Sequence, residues 1–464
     1  MHRLPPKAGR PALSQANLAL SLNSLAANLW EQGRLEEALR ALQKSVEITR
    51  LLAANKPSAF TSQLSALLNE LANYSFDAGK REEALDAIEE AVTLNHLLAV
   101  SRPSEFKANL ALSLNNLAKY RSGMGLHTQA LQAIEEAVEI CRQLVAQRPT
   151  EFVSTLAKSL LNLSSHLYNA GRHEDALQQA QLAVKLYRSA AADRPGVFGP
   201  QFAQSLVRLG DRFKHLGRRE EGIDQIQTAL VIYRQLAASH PTAFNPDLAA
   251  CLNNLAIDMF DTERHEDAIR TVQEAVKIRR QLAAKNPAAF NSDLARSLNN
   301  MASFLSQMDR QDEALPIIQE AVRLRRQLAA YDTEVHLSEL ADSLNNIFGC
   351  ASVLEGHEQE AAHAITEAVG LYRKLAEKSP AYNIKLATGL HNLSGYLAMT
   401  SQHEEAAQVA REAVVANRQL AAVSPDNFNL SLAKSPKNLG GRLDDLGLQQ
   451  EVVEAKEEVE KLKF

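Results

Sequence analysis

A leucine returns every 46 residues along this chain, at Leu22, Leu68, Leu114, Leu160, Leu206, Leu252, Leu298, Leu344 and Leu390, and Pro436 fills the next slot, which makes ten copies of one unit. A unit of this size is a supersecondary element too small to bury its own apolar face, so neighbouring copies must stack to form a continuous core. Such an array works through a surface, and no residue type with catalytic chemistry recurs with the period.

The sixth copy, from Pro241 to Asn286, shows how the unit is built. Leu248, Leu252, Leu255, Ala256 and Met259 form one apolar stripe at helical spacing (helix A). After the polar residues 261–264 a second stripe follows through Ala268, Ile269, Val272, Ala275, Val276 and Ile278 (helix B). Most copies place a glycine in the turn (Gly33, Gly79, Gly125, Gly171, Gly217, Gly447), where a left-handed conformation ends a helix. Acids such as Glu36 and Glu37 open helix B, and arginines such as Arg50, Arg234, Arg280 and Arg326 are expected to close it, complementing the helix dipole. Proline then stops helix B at Pro57, Pro103, Pro149, Pro195, Pro241 and Pro287. A phenylalanine three residues on, from Phe60 to Phe290, is expected to plug the junction. The column Ala38, Ala84, Ala130, Ala176, Ala268, Ala314 and Ala406, with Gly222 in the fifth copy, supplies small residues where two helices cross closely. The fold expected is all-α, a right-handed α-solenoid of ten two-helix repeats over 11–464, preceded by a disordered segment over 1–10.

Composition removes several classes. A net charge of -5 gives no basic face able to displace counterions from phosphates, so no nucleic-acid partner is expected. No apolar run is long enough to span a membrane. Cys141, Cys251 and Cys350 lie far apart without CxxC pairing, which fits buried thiols in a reducing, cytoplasmic setting. Arg3, Lys7 and Arg10, with no acid before Glu31, mimic a transit peptide, but Pro11, Leu18, Leu22 and Leu25 already keep the repeat frame. The N-terminal copy has no polar capping helix ahead of it, as expected of an array excerpted from a longer protein, whereas the segment from Glu451 to Lys463 reads as a polar cap.

The pattern Leu-Asn-Asn-Leu-Ala at 114–118, followed by Gly125 and Ala130, and again at 252–256 followed by Ala268, resembles tetratricopeptide repeats in the long form seen in kinesin light chains. The run from Asn245 to Ala249, Asn-Pro-Asp-Leu-Ala, is similar to arrays in fungal and bacterial signalling proteins, often beside a nucleotide-binding or caspase-like module. The bulky aromatic that the family places near the end of helix A is mostly replaced here, by Leu29, Leu167, Met259, Leu305 and Leu397. The resemblance implies a protein–protein interaction scaffold that binds peptide motifs or partner proteins in a concave groove lined by helix A. The alternative is the sensor array of a larger signalling ATPase or caspase-like protease whose effector module is absent from this chain.

Candidate groove residues follow from the helical wheel. Asn23, Asn69, Asn115, Asn253, Asn299 and Asn345 form one column, and an amide that donates and accepts can pair with the backbone of an extended peptide. Equally, these asparagines can bond one another and hold the stack together. A second column, Asn116, Asn162, Asn254, Asn300, Asn346 and Asn392, falls on the opposite flank. The first column breaks at Leu161 and Val207, where Lys158, Arg208, Arg212 and Lys214 appear. That basic interval suits an acidic peptide, or is a solvated flank balanced by Asp211 and Glu220. Neither enzyme activity nor a cofactor is expected. His173-Glu174, His265-Glu266 and His403-Glu404 lack a second histidine four residues on, so no metal site is expected either. Pro316 inside helix B, and an extra residue before Gly356, suggest a bend over 310–360.

Overall fold

The computed structural model describes residues 10–330, 334–423, 437–448 and 450–453. The expected N-terminal disordered segment lies outside them except for Arg10, which opens the first helix. Ser435, Pro436 and most of the C-terminal polar segment also lie outside them. The described residues form α-helices and no strand, and none of these helices is long and apolar enough to cross a membrane.

The chain divides into two compact units, Met1–Ile232 and Tyr233–Phe464. In the first, the A helices are α1 (Arg10–Glu31), α3 (Pro57–Asp77), α5 (Pro103–Gly123), α7 (Pro149–Asn169) and α9 (Pro195–His215). Their B partners are α2 (Leu35–Asn55), α4 (Arg81–Ser101), α6 (His127–Gln147), α8 (His173–Asp193) and α10 (Arg219–Ser239), the last of which carries the division. The second unit holds the A helices α11 (Pro241–Asp261), α13 (Pro287–Gln307), α15 (Glu334–Ala351) and α17 (Asn383–Met399). These pair with α12 (His265–Lys285), α14 (Gln311–Ala329), α16 (Glu358–Lys378) and α18 (His403–Val423). Each unit is thus a run of stacked helix pairs, an all-α solenoid.

Two 21-residue helices, a three-residue turn and a one-residue junction fill the period, as in α3 and α4. At 1.5 Å per residue each helix is about 30 Å long. The junction prolines do more than stop helix B. Pro57, Pro103, Pro149, Pro195, Pro241 and Pro287 are the first residues of the next helix A, where the missing N–H costs nothing. One residue, such as Lys56 or Arg102, makes the whole connection at φ near -140°. The phenylalanine three residues on packs beneath that residue's side chain: Arg102, Arg148 and Arg194 lie over Phe106, Phe152 and Phe198 at 4.7, 4.8 and 4.8 Å.

Each turn between helix A and helix B has a left-handed residue, and in all but the turn before α16 the residue after it donates to the carbonyl five back, as Arg34 does to Leu29 at 2.9 Å and Arg264 to Met259 at 2.9 Å. Where glycine is absent the conformation persists: Glu263, Asp309 and Ser401 have φ of 62°, 57° and 63°. A side chain costs about 1 kcal/mol there, and glutamate has less local compensation than aspartate. Glu263→Gly should therefore raise the thermal midpoint of the second unit by roughly 2 °C. An unchanged or lowered midpoint would count against strain at this turn.

The alanine column is buried, with Ala38, Ala84, Ala130, Ala176, Ala268, Ala314 and Ala406 all at 0% exposure. Cys141, Cys251 and Cys350 are buried, and burial pushes the Cys251 thiol up to about 12. Of the arginines expected to close helix B, Arg326 lies in the last turn of α14, whereas Arg50, Arg234 and Arg280 sit five residues before the helix end. Arg50, Arg234 and Arg280 reach the next helix B, pairing with Glu90, Glu274 and Glu320 at 2.6, 2.7 and 2.5 Å. These half-exposed pairs contribute little energy each but mark the register between B helices.

Two irregularities lie in the second unit. Pro316 is the sixth residue of α14, which runs unbroken through it, as α9 and α11 run through Pro200 and Pro246. The extra residue before Gly356 delays α16 to Glu358 and removes the five-residue-back bond from that turn. A cleft of about 460 Å³ between α14, α15 and α16 is floored by Val322, Leu344 and Ile347. These irregularities are what the proposed bend over 310–360 rests on.

Candidate binding face of the A helices

On A helices inside the array the apolar stripe turns into the stack and leaves a polar stripe outside, whereas α1 leaves Leu13, Leu18, Leu20 and Leu25 exposed. On α7 that stripe is Lys158, Asn162, Ser165 and Asn169, and on α9 it is Gln204, Arg208, Asp211 and His215, all exposed or half-buried. Neighbouring A helices are staggered, so residues 46 apart do not face each other. Contact falls instead at separations of 44 and 47.

That stagger explains where the asparagines go. Asn69 donates to Ser113 at 3.0 Å, and Asn115 to Ser159 at 3.0 Å. Asn253 accepts from Ser297 at 2.8 Å and from Asn300 at 3.2 Å, and Asn299 accepts from Ser343 and Asn346, both at 3.1 Å. Asn345 accepts from Asn392 at 2.9 Å, and Asn115 from Asn162 at 3.0 Å. The two columns that the wheel placed on opposite flanks therefore form one ladder, in which Asn69, Asn115, Asn253, Asn299 and Asn345 each bond to the next repeat. Asn253 is only 4% exposed, the other first-column asparagines are half-buried, and Asn23 has no side-chain hydrogen bond among the described residues.

The serines are hubs that sequence reasoning did not single out. Ser113 also accepts from Asn95 at 2.7 Å, which ties α3, α4 and α5 together. Ser159 meets the Cys141 thiol at 3.6 Å, and Ser297 accepts from Arg279 at 2.5 Å. Asn95, Cys141, Arg279 and Arg325 share one buried column of helix B, and Arg279 and Arg325 are 4% and 5% exposed. Burial pulls both guanidinium groups below the usual arginine range, with Asp293 and Glu339 opposing it. The signal was a serine column at 113, 159, 205, 297 and 343, hidden among residues that surface turns also use.

The hub is absent where Leu161, Tyr187 and Val207 replace its partners. Ser205 bonds only Phe202 of its own helix, at 2.7 Å, and Tyr187 donates to Ser154, at 3.2 Å. The B-helix pairing also lapses here, since Leu182 and Thr228 stand in the glutamate column. In this interval Lys158 is exposed on α7 and Arg208 half-buried on α9, and neither has a carboxylate within ion-pair distance among the described residues. Arg212 lies over the Tyr168 ring at 4.5 Å, and its buried Nε has no partner. Burial pulls the Arg212 guanidinium down, although Asp211 raises it. Among the described residues no group of three or more His, Cys, Asp or Glu side chains is placed to hold a metal ion.

A family model described as tetratricopeptide repeat matches residues 18–53, 110–148, 248–286 and 294–332, and one described as anaphase-promoting complex subunit 5 matches 343–388. No curated protein matches the sequence. Three of the similar solved structures illustrate the likeness. BtubC from P. vanneervenii is 20% identical, over 53% of this chain and 92% of that one, with a TM-score of 0.46. A putative kinesin light chain of Podospora anserina with nearly identical TPR-like repeats is 20% identical, over 48% and 98%, with a TM-score of 0.40. The quorum sensor NprR from B. thuringiensis, in its apo form, is 14% identical, over 83% and 98%, with a TM-score of 0.49.

Proposed function

The chain carries an array of tetratricopeptide repeats, and on that premise we propose that it is a protein–protein interaction scaffold whose first unit binds an acidic peptide segment across α7 and α9. One observation carries the reading. Lys158 and Arg208 occupy the A face with no carboxylate within ion-pair distance, in an interval where, among the described residues, the asparagine–serine hub and the B-helix ladder both lapse. Elsewhere on the described A face, first-column amides such as Asn69, Asn253 and Asn299 are spent on neighbouring repeats. Second-column asparagines such as Asn162 and Asn300 use an N–H in the ladder and keep the carbonyl oxygen for the backbone N–H of an extended partner.

Cations held in place before binding need little reorganisation when an anionic partner arrives, and charge complementarity sets both encounter rate and register. Lys158→Glu combined with Arg208→Glu should weaken an acidic peptide by about a hundredfold, roughly tenfold per reversed charge. A titration at fixed ionic strength checks it, and intact affinity would refute this location for the site.

A further inference from the structure

The cleft between α14, α15 and α16 is crossed at both ends by side chains of the two B helices. Gln319 of α14 donates to Glu360 of α16 at 2.7 Å, and Arg326 pairs with Glu367 at 2.7 Å. Gln319 and Arg326 stand two turns apart on α14, about 10 Å, so a partner strand or helix cannot lie along the space between the bridges. A small molecule can. The volume of about 460 Å³ is that of a small-ligand pocket, and its floor is Val322, Leu344, Ile347 and Ala364, each at most 5% exposed.

Between the bridges the rim is basic. Arg323 and His363 line the cleft there, both exposed, and Arg323 has no carboxylate within ion-pair distance among the described residues. The two glutamates are already engaged. Glu360 accepts from Gln319 and meets His357 at 3.0 Å, and Glu367 holds Arg326, with the His363 Nδ1 farther off at 3.8 Å. The same frame in the first unit has a rim of the opposite sign. There Gln43 bonds Glu83 and Arg50 pairs with Glu90 at 2.6 Å, but Glu47 and Asp86 stand where Arg323 and His363 do. The bridges belong to the frame, whereas the rim charge changes with the copy.

We propose that this cleft binds a small amphiphilic carboxylate of the medium-chain fatty acid class, its carboxylate on Arg323 and its alkyl chain over Val322, Leu344, Ile347 and Ala364. None of the lining residues belongs to the asparagine columns, and the proposal does not depend on the acidic-peptide reading. A guanidinium presents paired N–H groups that match a carboxylate, and Arg323 is the rim cation left without one. The alkyl chain leaves water for the apolar floor, which supplies affinity without direction. Direction comes from the single charge, since the bridges at either end are already satisfied.

The test is an isothermal titration of the full chain with sodium octanoate at fixed ionic strength. Arg323→Glu with His363→Asp gives the cleft the acidic rim of the first unit and should weaken octanoate by more than about tenfold. Ala364→Ile installs the side chain that the preceding copy carries as half-buried Ile317, and should abolish binding while circular dichroism shows the helix content of the parent chain. Octanamide, equally long and uncharged, should bind the parent chain about tenfold more weakly. Absence of octanoate binding overturns the site, and so does full affinity in either variant, which places the ligand elsewhere. Equal affinity for octanamide overturns the carboxylate on Arg323. If Ala364→Ile loses helix content, the variant with both exposed rim residues changed decides alone.

Discussion

Gly222→Ala is expected to destabilise the first unit by about 2 kcal/mol, although alanine is the better helix former by about 1 kcal/mol. A Cβ on Gly222 would stand 2.8 Å from the carbonyl oxygen of Gly210, and one on Gly210 would stand 2.7 Å from Cγ1 of Ile226 and 3.0 Å from the carbonyl oxygen of Gly222. The nearest obstacle to the Gly222 methyl is backbone, so α9 and α10 must separate to admit it. Other copies place alanine at both positions, as at Ala72 with Ala84 and Ala256 with Ala268, and those pairs are fully buried. The fifth copy therefore holds its helices closer than its neighbours do. Urea unfolding followed by circular dichroism measures the loss, and a midpoint at or above that of the parent chain would contradict this crossing.

Ser297→Ala should cost the second unit about 2 kcal/mol, the scale for removing a hydrogen bond to a buried charged group. The hydroxyl accepts from the Arg279 guanidinium and donates to Asn253, and all three residues are at most 4% exposed. Its loss leaves Arg279 with the Asp293 carbonyl at 2.8 Å as its other hydrogen bond and leaves Asn253 with Asn300. Ser205→Ala is the internal comparison, because that hydroxyl serves only its own helix and should cost under about 0.5 kcal/mol. Equal effects at the two serines would show that the hub adds nothing to the stack.

The period made the helix pairs, the turns and the small-residue column legible in the sequence, because each depends on local pattern. What it hid was which columns meet. Subtracting 46 aligns Asn253 with Asn299, but Asn253 bonds Ser297 and Asn300, since staggered helices displace contacts by two residues one way and one the other. Neighbouring arginines show the same limit. Arg280 is exposed and pairs with Glu320, whereas Arg279, turned about 100° around the helix, is buried. The sequence marked Arg280 as a helix-end cation and gave no sign that Arg279 is buried. The left-handed backbone at Glu263 was equally hidden, because glutamate gives no turn signal there.

For the basic interval, Lys158 and Arg208 were visible as departures from a column. The surround of Tyr168 was not, because it joins α7, α8 and α9 through rings that no single wheel shows together.

The one-residue junction has a consequence for how such a chain can change length. A helix B that ends one residue before the next helix A begins has no slack, so an added residue there would rotate everything downstream by about a quarter turn. The three-residue turns can absorb such an addition, and the extra residue before Gly356 sits in one. The residue gained in that turn is given back at the following junction, where Pro380–Tyr382 form a short 3-10 helix before α17, so Leu344 and Leu390 stay 46 apart.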